Sequence, residues 1–328
     1  MAGPSYHMRI NKAADRFSLI EIIKRLPKLK NNLDEYTYYG FGGPFLEDMR
    51  LIYEFYPEIR MISFEEIRKV FLRQKFHIPC GPEQLTLENC NVTNFIDNLE
   101  STDEKSIFWL DYTDLDLICF TDFEKLLNKL SQGSVIKITI RADPRDYWII
   151  PKNIENRRQK SRMIENFRRI FGEYLPRPSA VPSWKSEDFA YLLQEMMQIV
   201  VQNSLSADIT NLTFYPISSF YYSDSTWMFS ITGIIWPRTD FEAVEDAFKD
   251  WEFKNLVWNR PIHIDIPNLS TKERLHLQKH LPRERPRGPV LRAEMGHLID
   301  EDIIRTEYAL EQYAAFHRYF PYFLRGIP

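Results

Sequence analysis

Two rhythms of apolar and polar positions alternate along this chain, and each switch between them marks an element. Residues 36–39, Tyr-Thr-Tyr-Tyr, have the aromatic and β-branched composition of a strand, which stops at Gly40, Gly42 and Gly43. The spacing then turns helical, with Phe45, Met49, Ile52 and Phe55 three or four positions apart. A second strand is expected over 60–64, closing on Glu65, and then a helix through Ile67, Val70 and Phe71 that ends before Pro79. Residues 85–87 predict a third strand, followed by Asn89-Cys90-Asn91 and a helix over 92–99. The clearest strand is 106–110, almost wholly apolar, as a central parallel strand covered on both faces must be. It runs into Asp111-Tyr112-Thr113-Asp114. Phe120, Phe123, Leu126, Leu127 and Leu130 mark the next helix, and 135–140 a fifth strand that closes on Arg141-Ala142-Asp143.

Strands that alternate with helices in this way imply a parallel sheet with right-handed crossovers. Ligands of such sheets sit beyond the carboxyl ends of the strands, so the segments 40–43, 65, 89–91, 111–114 and 141–143 converge by topology alone. Ahead of the sheet, Phe17, Ile20, Ile23 and Leu26 predict a helix ending near Pro27, and residues 1–34 read as an N-terminal helical cap that covers the cofactor cleft or, the favoured reading, merely packs on the sheet. The regular alternation stops after Tyr147. Residues 151–205 read as a helical insertion, in which the spacing predicts a helix over 186–205 with Phe189, Leu192, Leu193, Met196, Met197, Val200 and Val201 on the buried side. Two long β runs, 211–222 and 226–235, follow with Ser223-Asp224-Ser225 as the hairpin turn. The core is therefore assigned to 35–150 and 206–238, and 239–328 to a C-terminal helical lobe. In that lobe helices are expected over 241–251, over 270–281 with Ser270 as N-cap and Glu273 in a capping box, and from about Asp300 onward. Tyr313, Phe316, Phe320 and Phe323 give the last helix an aromatic stripe that packs on the core or on a second copy or other protein partner. The proline-rich stretch 281–292 between them reads as a linker.

Composition narrows the picture. With 328 residues the chain is long for one compact domain, and 44% hydrophobic residues is ordinary for a globular protein. The formal net charge of −4 speaks against wholesale coating of nucleic acid. No apolar run approaches the roughly 20 residues needed to span a bilayer, and the first residues have no apolar secretory core, so a cytoplasmic protein without membrane contact is expected. The three cysteines, Cys80, Cys90 and Cys119, show no metal-type spacing and are expected as reduced thiols.

The chemistry-bearing residues lie at the strand tips. Glycines at a strand-to-helix turn let the backbone approach a ligand, and an acid at the tip of the second strand suits ribose hydroxyls. Together they point to a nucleoside-containing cofactor. The strand order and closing hairpin over 36–235 resemble the class I S-adenosylmethionine-dependent methyltransferases. More narrowly, YYGFGGPFLEDMRLI, MISFE and WLDYTD are similar to a bacterial O-methyltransferase group often found among phage-defence genes. The resemblance implies an α/β fold with a Rossmann-like methyltransferase core, a mostly parallel seven-stranded sheet ending in an antiparallel hairpin. It implies S-adenosylmethionine as cofactor, with Gly40, Gly42 and Gly43 around its methionine part and Glu65 accepting from the ribose. Asn91, from the third tip, joins the cofactor-binding set, and Asp111 stands next to the transferable methyl. The chain departs from the family's glycine motif in two places. Tyr38 occupies the usual acidic position, and Pro44 stands where a third spaced glycine would fall.

For catalysis the candidates are Asp111, Tyr112 and Asp114, one carboxylate positioning or deprotonating a hydroxyl or amine of an unidentified acceptor. The structural alternative is that Asp114 and Asp116 merely cap the following helix. A different class stays open for the whole protein: a catalytically silent nucleotide-sensing or scaffold subunit of a multi-protein defence assembly. No metal site is expected. His276 and His280 stand four apart on one helical face, but a metal needs a further ligand, so a solvated face is the expectation. His77 reads as a surface histidine. Arg157, Arg158, Lys160, Arg162, Arg168 and Arg169, with the stretch 283–292, are the candidates for phosphate contact, but interspersed glutamates make a solvated face the favoured reading over nucleic acid.

Overall fold

Every strand expected from the periodicity forms, and five of them pair in parallel. The computed structural model describes residues 9–100, 104–147, 165, 167–176, 185–206, 211–284 and 286–319. Strands β1 (Tyr36–Gly40), β2 (Arg60–Phe64), β3 (Leu85–Glu88), β4 (Lys105–Asp111) and β5 (Val135–Arg141) are followed by β6 (Leu212–Ser223), β7 (Trp227–Pro237) and β8 (Ile262–Ile264). Their order in the sheet is β3-β2-β1-β4-β5-β7-β6-β8. β1 pairs in parallel with β2 and β4, β2 with β3, and β4 with β5, whereas β7 runs antiparallel to β5. β8 adds an eighth strand to the seven expected. Three residues centred on His263 are too short to show a period, so periodicity could not reveal it.

The principal helices are α1 (Ile10–Ile23), α2 (Glu47–Phe55), α3 (Arg68–Phe76), α4 (Val92–Asn98), α5 (Leu117–Lys129), α6 (Ser186–Ser204), α7 (Phe241–Phe248), α8 (Thr271–Gln278), α9 (Gly288–Met295) and α10 (Ile303–Phe316). α9 corrects the linker expected over 281–292. Pro289 stands in its first turn, where a missing N–H breaks no helical bond and the fixed φ suits the helix. α8 opens with the capping box foreseen for Ser270 and Glu273. Phe320 and Phe323, and the basic residues 157–162, lie outside the described residues. Among the described residues no helix is long and apolar enough to cross a membrane.

The chain forms two compact units. One comprises Leu19–Tyr221 and Thr226–Ile262, the other Met1–Ser18, Tyr222–Ser225 and His263–Pro328 so far as they are described. In the first unit the sheet is covered on one face by α4, α5 and α6. Ile136, Ile138 and Ile140 of β5 share a buried cluster with Phe120 and Phe123 of α5 and Phe189, Met196 and Met197 of α6. Each such side chain removed from water stabilises the fold by about 1.5–3 kcal/mol. Tyr39 of β1 stacks on Phe108 of β4, ring centroids 4.3 Å apart, and on Phe64 of β2 at 6.1 Å. Such cross-strand pairs fix register as well as adding energy.

In the second unit one residue joins three distant segments. The Asn11 and Lys12 N–H groups donate to the Asp224 carboxylate at 3.1 and 2.9 Å. The Asn11 side-chain amide donates to the Ser223 carbonyl at 3.0 Å and accepts from the Ile266 N–H at 2.9 Å.

Candidate functional site

The turn after β1 is built on glycine for steric reasons. Gly42 and Gly43 have φ of 66° and 55°, where a side chain is strained. A Cβ on Gly42 would also lie 2.6 Å from Leu46 Cδ2 and 2.9 Å from Ser63 Oγ. The carbonyls of this turn are held from below. Gln74, fully buried on α3, donates from Nε2 to the Phe41 and Gly43 carbonyls at 2.8 and 2.9 Å, and Ser63 Oγ donates to Phe41 at 3.2 Å. α2 then begins with Glu47 and Asp48 in its first turn. The Tyr38 hydroxyl donates to Asp48 Oδ2 at 2.6 Å, and a Cβ on Gly40 would meet that hydroxyl at 2.9 Å and that oxygen at 3.0 Å. The acid missing at position 38 is thus replaced by a carboxylate that α2 brings beside Gly40.

The tips of β2 and β3 are knitted together. Glu65 donates its N–H to the Glu88 carbonyl at 3.0 Å, and its Oε1 accepts from the Ile67 N–H at 2.7 Å. Burial raises the Glu65 carboxyl above its usual range. Asn89 donates to the Glu65 carbonyl at 2.6 Å. Asn91 caps α4, accepting from the Thr93 N–H at 2.9 Å, while its Nδ2 donates to Glu66 Oε2 at 2.7 Å.

The tip of β4 stands next to the glycine turn, with that of β5 on its far side. The Phe41 ring meets the Tyr112 ring edge-on, centroids 5.7 Å apart. Tyr112 donates its N–H to the Thr139 carbonyl at 2.8 Å and its hydroxyl to Asp122 Oδ2 at 2.7 Å, where Thr93 Oγ1 also donates at 2.8 Å. Asp122 is fully buried on α5, and desolvation raises its carboxyl above the usual value. Burial and the Asp122 charge also keep the Tyr112 hydroxyl protonated far above its ordinary range. Tyr112 is therefore a proton donor within a fixed bond, which suits positioning better than acid–base work. Asp111 is the half-buried last residue of β4, opposite Thr139. Asp114 is exposed, accepts from Thr113 Oγ1 at 3.0 Å and lies 3.7 Å from Arg141 Nη1. Asp116 occupies the N-cap position of α5, but its side chain makes no capping bond.

All the expected positions of the first four tips, Gly40, Gly42, Gly43, Glu65, Asn91, Asp111, Tyr112 and Asp114, share one edge of the sheet. Asp48, Ser63, Gln74 and Asp122 were not foreseen. Cys80, Cys90 and Cys119 are free thiols. His77 ends α3 with its ring 5.2 Å from Phe45. In the stretch 283–292, Arg287 and Arg292 pair with Glu311 and Glu307 at 3.1 and 2.7 Å. Arg168 and Arg169 of the basic segment are exposed.

Parallel strands in the order 3-2-1-4-5, closed by antiparallel 7 and 6, with a glycine turn after β1 and an acid after β2, define a Rossmann-like methyltransferase fold. The chain belongs to the family described as "Putative O-methyltransferase", whose model matches residues 4–327. It is similar in structure to Trm1 from Pyrococcus horikoshii in complex with S-adenosyl-L-methionine, with TM-score 0.45 and 10% identity over 75% of this chain and 62% of that one. It is also similar to the plantazolicin methyltransferase BamL in complex with SAH, with TM-score 0.40 and 10% identity over 68% and 85% of the two chains. A "putative O-methyltransferase" from Klebsiella pneumoniae matches with TM-score 0.37 and 10% identity over 71% and 83%. No curated protein matches the sequence. The cofactor implied by the family is S-adenosylmethionine. The side chains fit it, because Asp48 stands beside Gly40 of the turn and Glu65 and Asp111 stand at the ends of the neighbouring strands, carboxylates that suit a cationic nucleoside.

Proposed function

We propose that the chain transfers a methyl group from S-adenosylmethionine to an oxygen of its acceptor at the edge formed by the tips of β1, β2 and β4. The carrying observation is the charge of the glycine turn. A dinucleotide or nucleoside triphosphate would place phosphate at the N-terminus of α2, where bare N–H groups usually receive it. Here Glu47 and Asp48 fill that first turn and would repel it, with Glu65 and Glu66 at the next tip. The same carboxylates attract an ammonium or sulfonium. This favours S-adenosylmethionine over a phosphorylated nucleotide and weighs against the nucleotide-sensing alternative.

When bound, the cofactor supplies an already activated methyl group, so the protein's task is alignment and exclusion of water. Glu65 accepts from the ribose hydroxyls, and the glycine turn with Asp48 receives the amino-acid end. The Phe41 and Tyr112 rings wall the space between the β1 and β4 tips. Asp111 or its neighbour Asp114 takes the proton that the acceptor hydroxyl releases. Calorimetry with S-adenosylmethionine, ATP and NAD, on wild type and Glu65→Ala, tests the reading. Heat is expected with S-adenosylmethionine alone, and only for the wild type. Binding of ATP or NAD without binding of S-adenosylmethionine would overturn it.

A further inference from the structure

The second unit contains a cluster of side chains that methyl transfer does not use. His276 lies on α8 and His280 two residues past its end, so that four positions separate them on one face. α9 follows after a short connection and brings Glu294 to the same histidines. Nitrogen atoms of the two imidazoles and a Glu294 carboxylate oxygen all lie within 4.8 Å of one another. The rings are 5.4 Å apart between centroids, and His280 Nε2 is 3.5 Å from Glu294 Oε2. His276 Nε2 lies 3.0 Å from the Glu294 carbonyl oxygen. His276 and Glu294 also line a cavity of about 730 Å³, with Glu273, Lys279 and His297 further along its wall.

We propose that His276, His280 and Glu294 hold a divalent transition-metal ion of the zinc class, with a fourth position open to this cavity. Two imidazoles and a carboxylate are a donor set that such ions take in a tetrahedral shell. Ligand atoms about 3.3 Å apart suit that shell at metal–ligand bonds of about 2.0–2.1 Å. The present separations close to it by side-chain rotation, because the helices themselves are fixed. Leu277 and Leu291 are fully buried, the Tyr313 hydroxyl donates to the Arg274 carbonyl at 3.2 Å, and Glu311 accepts from the Arg287 and Gly288 N–H groups at 2.6 and 2.8 Å. A Cβ on Gly288 would lie 2.2 Å from the Glu307 carbonyl, so α9 also sits hard against α10. Binding through His280 Nε2 requires the proton on Nδ1 and the release of Arg283, whose Nη2 lies 3.3 Å from that nitrogen at an exposed position. The further ligand that the two histidines lack in their own helix is thus supplied by the next one.

The test titrates the full, chelator-treated chain with cobalt(II) and follows its visible absorption, then adds zinc. The expected result is one cobalt per chain with the intense bands of a four-coordinate ion, displaced by zinc. His280→Ala and Glu294→Gln should each weaken binding at least about a hundredfold, since even second-shell losses cost ten- to a hundredfold. His297→Ala, which changes the cavity wall but no ligand, should leave binding unchanged. Should His280→Ala fail to fold by circular dichroism, the isosteric Glu294→Gln decides. Weak six-coordinate cobalt binding, or binding equal in wild type and Glu294→Gln, overturns the proposal.

Discussion

Burial lifts the Glu65 carboxyl, and one of its oxygens is already held by the Ile67 N–H. An ionised carboxylate accepts two hydroxyl donors and a protonated one does not, so donor binding should weaken as pH falls through this raised pKa. The loss should begin at higher pH than an ordinary carboxylate would give. Glu65→Gln should cost about 1.5–3 kcal/mol, roughly ten- to a hundredfold in affinity, and should flatten the pH dependence; calorimetry across pH checks both. Asp122 obeys the same sign with a different readout. Its native pKa is raised above 3.8, so its contribution to stability is complete below that value and is lost as pH rises through the native pKa. Asp122→Asn keeps an acceptor for Tyr112 and Thr93 without the buried charge. Relative to wild type, its urea midpoint should climb between acid and neutral pH, and a pH-independent difference would exclude the assignment. Neither Asp122 nor Gln74 announces itself in the sequence. Each is a polar residue on the apolar side of a helix, Asp122 between Phe120 and Phe123, Gln74 three positions after Phe71, and that misplacement was the signal available.

At the scale of elements, periodicity carried most of the fold because the buried stripes are long and regular. α5 and α6 bury the side chains their spacing marked, and β4 is apolar because both its faces are covered. What stayed hidden was short or depended on partners far along the chain. β8 has three residues, and the prolines of α9 read as a linker until the acids of α10, which receive its first N–H groups and its arginines, are in place. The acid beside Gly40 comes from Asp48 of α2 rather than from position 38 of the strand, so the strand's own spacing does not reveal it. Two substitutions test how these elements are held. Phe189→Ala, emptying the space between α6 and the sheet, should cost about 3–5 kcal/mol in a denaturant titration. Ser270→Ala removes one half of the α8 capping box and should cost about 1 kcal/mol, an effect that Ser270→Asp should largely spare.

For the molecule as a whole, the donor site and the histidine cluster lie in different compact units. Ligands of each should therefore leave separate footprints in hydrogen exchange followed by mass spectrometry. S-adenosylmethionine should slow exchange around residues 40–43, 65–67 and 111–114 and leave 270–295 unchanged. Protection spread evenly over both units would show that they respond as one. A ligand present at a hundred times its dissociation constant stabilises the form it binds by about 2.7 kcal/mol, enough to see in a thermal melt.

Asn11 gives the second unit a timetable. Its bonds reach the hairpin turn more than two hundred residues later and then the segment at Ile266. While the polypeptide is still being synthesised, the start of α1 must wait for both, whereas β1 to β5 have their pairing partners within about a hundred residues of one another. Contacts this remote form late. A nascent chain arrested before residue 266 should thus be cleaved readily near its N-terminus by an added protease, and released full-length protein should not.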